Sequence, residues 1–112
     1  MFHIPCVCPV TVQEMIVGRD MLFVVTGGAA HIGATATAYM NQGELVVEVH
    51  QLEGHKEGPL AAELARYAVE RLRRTVTVVM GIHKDEATPE DIQNIVESVR
   101  AGWREMIDAM SQ

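Results

Sequence analysis

Short apolar or alternating runs separated by glycine-bearing turns fill the first half of the chain, and after His50 apolar residues recur at helical spacing. Val10 to Val17 predicts a strand. Pro5 and Pro9 hold its start at a sheet edge or outside the ladder, because proline has no N–H to donate. Gly18-Arg19 is a tight hairpin turn of the Gly-X type. Met21 to Thr26 is a continuous apolar run, expected of a strand covered on both faces. Gly27 to His31 forms the next loop. In Ile32 to Met40, Ala34, Ala36, Ala38 and Met40 face one side, and Thr35, Thr37 and Tyr39 the other. Asn41-Gln42-Gly43 is a turn, and Leu45 to His50 is a fourth strand.

Pro59 then marks the first turn of a helix, where its missing N–H costs nothing. Leu60, Leu64, Ala68 and Leu72 share one face of that helix, with Glu63, Arg66, Glu70 and Arg73 on others. Thr75 to Ile82 is rich in Val and Thr and predicts a fifth strand. Thr88-Pro89-Glu90-Asp91 starts a second helix: Thr88 caps it, Pro89 takes the first position, and two acids suit the positive dipole end. Ile92, Ile95, Val96, Val99, Trp103, Met106, Ile107 and Met110 form its apolar stripe, read as core. The expectation is an α+β fold of order β-β-β-β-α-β-α: one domain over residues 1–112, with a five-stranded, mostly antiparallel sheet and two helices packed on it.

If the first four strands form an antiparallel meander, the loops Gly27–His31 and Gly54–Gly58 lie at the same end. A first helix of roughly sixteen residues at ~1.5 Å each returns the chain to the far end. The fifth strand then brings Gly81–Ala87 back to the first. That end would collect His31, His50, His55, Lys56, His83 and Lys84 with two helix N-termini, whose free N–H groups suit an anion such as phosphate. Gly27, Gly28 and Gly54 would let a ligand approach the backbone. His50, at a strand end, is as readily structural as a ligand.

Composition narrows the functions. The net charge is −6 with no long Lys/Arg run, so nucleic-acid binding, which rests on phosphate neutralisation, is not expected. No apolar stretch approaches the ~20 residues that span a bilayer, and the N-terminus lacks the pattern of a signal peptide. Cys6 and Cys8 are too close in sequence to bridge readily, which fits a reducing cytoplasm. The short pattern His55-Lys56-Glu57 and His83-Lys84-Asp85 occurs twice, too little for a repeat. Glu57, Asp85 and Glu86 would largely cancel the lysines beside them. No HExxH, paired CxxC or serine elbow is present, so no residue is assigned as catalytic and none as a metal ligand. If both helices cover one sheet face, the other is open to a second subunit, so a homodimer is expected.

At TGGAAHIGA (Thr26–Ala34), GHKEGPLA (Gly54–Ala61) and GIHKDEATPEDI (Gly81–Ile92), the chain resembles the LpdD-like prenylated flavin chaperones, from about Val17 to Trp103. The resemblance implies a fold related to proteasome assembly chaperones. It also implies a non-catalytic partner that holds prenylated FMN as cargo, between the flavin prenyltransferase that makes it and the apo UbiD-like decarboxylase that uses it. Gly27, Gly28, His31, Gly54, His55, Lys56, His83 and Lys84 are then the expected cofactor contacts. The lysines and helix N-termini would take the phosphate, and His31 with the glycine loop the ring system. Two alternatives stay open. One is a small metal-dependent or acid–base enzyme using the His31/His55/His83 cluster. The other is a protein assembly chaperone with no small-molecule ligand.

Overall fold

The computed structural model describes residues 1–112. Its elements in chain order are β1 (Phe2–Ile4), β2 (Val10–Val17), β3 (Asp20–Gly28), β4 (Ala34–Asn41), β5 (Glu44–Gln51), α1 (Gly58–Leu72), β6 (Val76–His83) and α2 (Pro89–Met110). The two-residue hairpin at Gly18-Arg19, the turn after Asn41, both helices and the later strand stand where the pattern predicts them.

Two sequence expectations need correction. The sheet has six strands rather than five, because Phe2–Ile4 pairs antiparallel with the start of β2. Three residues are too few to show a period, and Pro5 and Pro9 bracket the segment that turns the chain back. Ile4 is nonetheless buried, and its side chain sits where a Cβ on Gly102 of α2 would lie. The second correction concerns order. The strands run β1-β2-β3-β6-β4-β5, so β6 separates β3 from β4 and the meander is broken. β6 pairs parallel with β3 and antiparallel with β4. Its inward residues Val76, Val78 and Met80 are fully buried, and an interior position gives this most apolar strand a ladder on both sides. The edges fall to the short β1 and to β5, whose Glu44 and Glu48 are exposed and discourage further pairing.

Both helices cover the same sheet face. Ala61, Leu64, Ala65 and Ala68 of α1, and Val99, Trp103 and Ile107 of α2, join one core with Phe23, Val25, Ala36 and Val78. Trp103 anchors it. Its ring meets Phe23 edge-on at 4.9 Å, and its indole N–H donates to the Leu64 carbonyl at 2.9 Å, so the polar handle of a fully buried ring is satisfied. Between the helices, the Arg100 guanidinium donates to both carboxylate oxygens of Glu63, which holds its charge still more firmly than usual. The opposite face, with Leu22, Val24, Thr77, Val79, Thr37 and Tyr39, has no covering element and is half-buried. Thr37 and Thr77 share a hydroxyl hydrogen bond across it at 2.8 Å.

Candidate functional site

Strand direction, not adjacency, decides where the loops meet. Gly28 sits opposite His83, Met80 opposite Ala34, and Ala34 opposite Gln51. The ends of β3, β5 and β6 and the start of β4 therefore share one end of the sheet, as the sequence pattern requires, despite the broken meander.

The segment from Ala29 to Gly33 is laid across the end of β6. The Ala29 amide donates to the His83 carbonyl (3.0 Å) and the Gly33 amide to the Met80 carbonyl (2.9 Å). A Cβ at Gly81 would fall on the His31 carbonyl, so only glycine lets the two backbones approach this closely. The next layer is the β5–α1 loop, tied down by Leu52 N–H to the Gly33 carbonyl (2.9 Å) and Gly58 N–H to Gln51 Oε1 (2.8 Å).

Glu57 joins the layers. It stands at the N-cap of α1 but caps no helix amide with its side chain. Its Oε2 instead lies 2.9 Å from His31 Nε2 and accepts from the Ile82 amide at 3.2 Å. Its Oε1 accepts from the Lys56 amide at 3.2 Å and lies 3.8 Å from His55 Nδ1. The carboxylate fills the space where a Cβ on Gly33 would go. The His31 ring also faces the Ala29 carbonyl through Nδ1 at 3.1 Å and stacks at a tilt on His55, with centroids 4.7 Å apart. His83 meets it edge-on at 6.3 Å, its own Nε2 held 3.1 Å from Asp85.

Beside this cluster lies a cavity of about 460 Å³, bounded by the end of β6 and the first turns of both helices. Met80, Ile82, Ile92, Ile95 and Val96 give it an apolar wall, and histidines, lysines and Glu57 give it a polar rim. Such a volume and division are usual for a small-molecule site. The two rim lysines differ. Lys84 is 3.2 Å from Asp91, whereas Lys56 has no carboxylate partner within ion-pair distance. The Thr88 amide first, then Lys84, hold the Asp91 carboxyl below its usual range. Asp91 and Thr88 form a reciprocal capping box, so these donors of the α2 N-terminus are already engaged.

His31, Gly54, His55, Lys56, His83 and Lys84 all line the cavity. Gly27 and Gly28 do not. They are the last two residues of β3, paired with Ile82 and His83. Gly28 has φ 64°, and a Cβ there would strike the His83 carbonyl and the Cys8 thiol. His50 is exposed on edge strand β5, outside the lining. Cys8 is buried; burial first and the neighbouring Cys6 second push its thiol up, with Lys84 opposing. Sequence pattern alone misses Glu57, which counts there only as a charge cancelling Lys56. Ile92 and Val96 belong by pattern to the core stripe of α2, yet they face the cavity.

Against known proteins, the prenylated flavin chaperone LpdD-like domain matches residues 7–111, nearly the whole chain. The chain belongs to that family. The match takes in Cys8, which lies outside the resemblance that begins near Val17. Among solved structures, the chain is similar to one described as the crystal structure of a novel chaperone complex for yeast 20S proteasome assembly. The TM-score is 0.52 at 9% identity, covering 91% of this chain and 96% of that one. At that identity the likeness concerns the fold alone. No curated protein matches.

Proposed function

We propose that this protein is a non-catalytic carrier of prenylated FMN, holding the reduced cofactor in the cavity and supporting maturation of an apo UbiD-like decarboxylase in the cytoplasm. The observation that carries the reading is the division of the cavity into an apolar wall and a polar rim that includes Lys56 and Lys84. A prenylated ring system needs the first, and its phosphate needs the second. Lys56 is the phosphate contact best supported, because no carboxylate holds it. Lys84 must exchange Asp91 for the phosphate. His31, His55 and His83 border the polar side of the ring system, and Gly54 leaves room beside it. Gly27 and Gly28 act through the backbone, by fixing His83. Packing of the ring system against the apolar wall would slow loss of a reduced flavin to oxygen by limiting solvent access on that side. The flavin prenyltransferase is the proposed donor.

The uncovered sheet face belongs to the same proposal. Across the central strands, Leu22, Val24, Val79, Thr37, Thr77 and Tyr39 carry no charge, and a second copy of the chain would bury them. Sedimentation equilibrium tests it: a dimer that dissociates on Val79→Lys supports the assignment, and a monomer at all concentrations rejects it.

The decisive experiment is an anaerobic titration with reduced prenylated FMN, with FMN and riboflavin as controls. Preference for the prenylated phosphate form, weakened by Lys56→Ala and by Val96→Asp in folded protein, is the expected result. No affinity for any flavin overturns the reading and favours a protein assembly chaperone without a small-molecule ligand.

A further inference from the structure

His31, His55 and Glu57 place one potential ligand atom each within 4.8 Å of one another at the cavity rim. The sequence hides this set, because His31 lies 26 positions from Glu57 and no spacing motif joins them. We propose that these three side chains bind a divalent first-row transition ion, and that the ion holds an oxyanion in the cavity through its remaining coordination positions.

Three features support this. The donor set is two imidazoles and one carboxylate, a combination used for zinc and for open iron sites. His31 has the outer partner that metal-bound histidines usually have: its Nδ1 faces the Ala29 carbonyl at 3.1 Å, so an N–H there leaves the Nε2 lone pair to the ion. Glu57 is held independently of any ion by the amides of Ile82 and Lys56, and loop 29–33 is fixed on β6 by the close approach at Gly81. Two of the three ligands are therefore positioned before a metal arrives. The simplest competing account is a hydrogen-bonded His31–Glu57 pair with His55 stacked on it. That account gives the His55 side chain no hydrogen bond, since its ring is partly exposed and its nearest carboxylate oxygen is 3.8 Å away.

Three protein ligands leave at least one position of a four-coordinate ion for another donor. That donor must come from solvent or from the cavity, and a phosphate or carboxylate oxygen is the hard, charged group that fits. The metal site needs nothing from the flavin proposal and is tested without flavin.

The experiment is equilibrium dialysis of chelator-treated full chain against Zn²⁺ alone, repeated with Co²⁺ for its visible spectrum. One ion per chain at micromolar metal is expected. His55→Ala and Glu57→Gln should each weaken it by more than about tenfold, the lower end of what even outer-partner changes cost. A Cys6→Ser/Cys8→Ser double variant should bind as the parent does. His55→Ala removes no fixed hydrogen bond, so it remains interpretable if a Glu57 variant folds poorly. Adding inorganic phosphate should shift the Co²⁺ bands. Absence of stoichiometric binding, or binding unchanged by His55→Ala, overturns the site. Co²⁺ bands indifferent to phosphate overturn the open position.

Discussion

Replacing Glu57 by alanine tests whether one carboxylate holds the site's layers together. The side chain is 15% exposed, so its interactions are only partly screened by water. The largest loss is the Ile82 amide, 3.2 Å from Oε2 and part-buried. A hydrogen bond to a charged group contributes about 1.5–3 kcal/mol, and a buried donor left without an acceptor forfeits a similar amount. The His31 contact at 2.9 Å joins a partly exposed ring and adds at most about 1 kcal/mol, as partly solvated pairs do. The Lys56 amide is exposed and exchanges Glu57 for water at little cost. The expected destabilisation is about 2–3 kcal/mol, or a fall in Tm on the order of 10 °C for a domain near this size. Glu57→Gln keeps an acceptor for Ile82 and loses the charge, so it should cost about half as much. Urea unfolding followed by circular dichroism gives both values, and hydrogen exchange should show the Ile82 amide losing protection in the alanine variant. An alanine variant within about 0.5 kcal/mol of the parent, the range of ordinary surface changes, would refute Glu57 as the joining residue.

Gly81→Ala drives a Cβ into the His31 carbonyl and should lift loop 29–33; losing its bonds to the His83 and Met80 carbonyls costs about 2–3 kcal/mol at roughly 1 kcal/mol each plus strain, read by urea unfolding. Asp91, whose folded pKa is lowered, contributes stability that is present above the unfolded carboxylate pKa of about 4 and lost as pH falls through the folded value. Asp91→Asn should therefore lower Tm at neutral pH and flatten its decline below about pH 4, measured by thermal unfolding across pH. The Cys8 thiol, buried and pushed up, should resist iodoacetamide in native protein at pH 8 and react on unfolding, as mass spectrometry of the modified peptide would show.

The parts of this structure legible in the sequence are those where local chemistry and tertiary packing agree. Thr88-Pro89-Glu90-Asp91 encodes a cap in four residues, and the structure contains that cap. The alanines of β4 alternate because one sheet face is buried, and Ala34, Ala36 and Ala38 are buried there. Strand order is not legible, because it depends on which partner β6 finds after the α1 crossover, and no local pattern states that choice. The loops converge even with the meander broken, for a geometric reason. β4 runs opposite to β6, and β6 runs with β3, so β3 and β4 keep the opposed directions a meander would give them. A loop's end of the sheet follows from direction alone.

Glu57 is hidden for a different reason. Net charge counts a carboxylate beside Lys56 as cancellation. The folded chain turns it toward His31 and Ile82, and it does so because Gly33, 24 positions earlier, leaves the space. A glycine placed to admit a side chain so distant in sequence resembles any loop glycine until the fold is known. The same holds for Ile92 and Val96: a helical apolar stripe fits a core and a cavity wall equally well, and the first turns of α2 line the cavity together with Met80 and Ile82 of β6. Within α2, then, the stripe changes role along its length, from cavity wall at Ile92 and Val96 to packing at Val99, Trp103 and Ile107. Substitutions at its start should alter what the cavity holds, and those near its middle whether the chain folds.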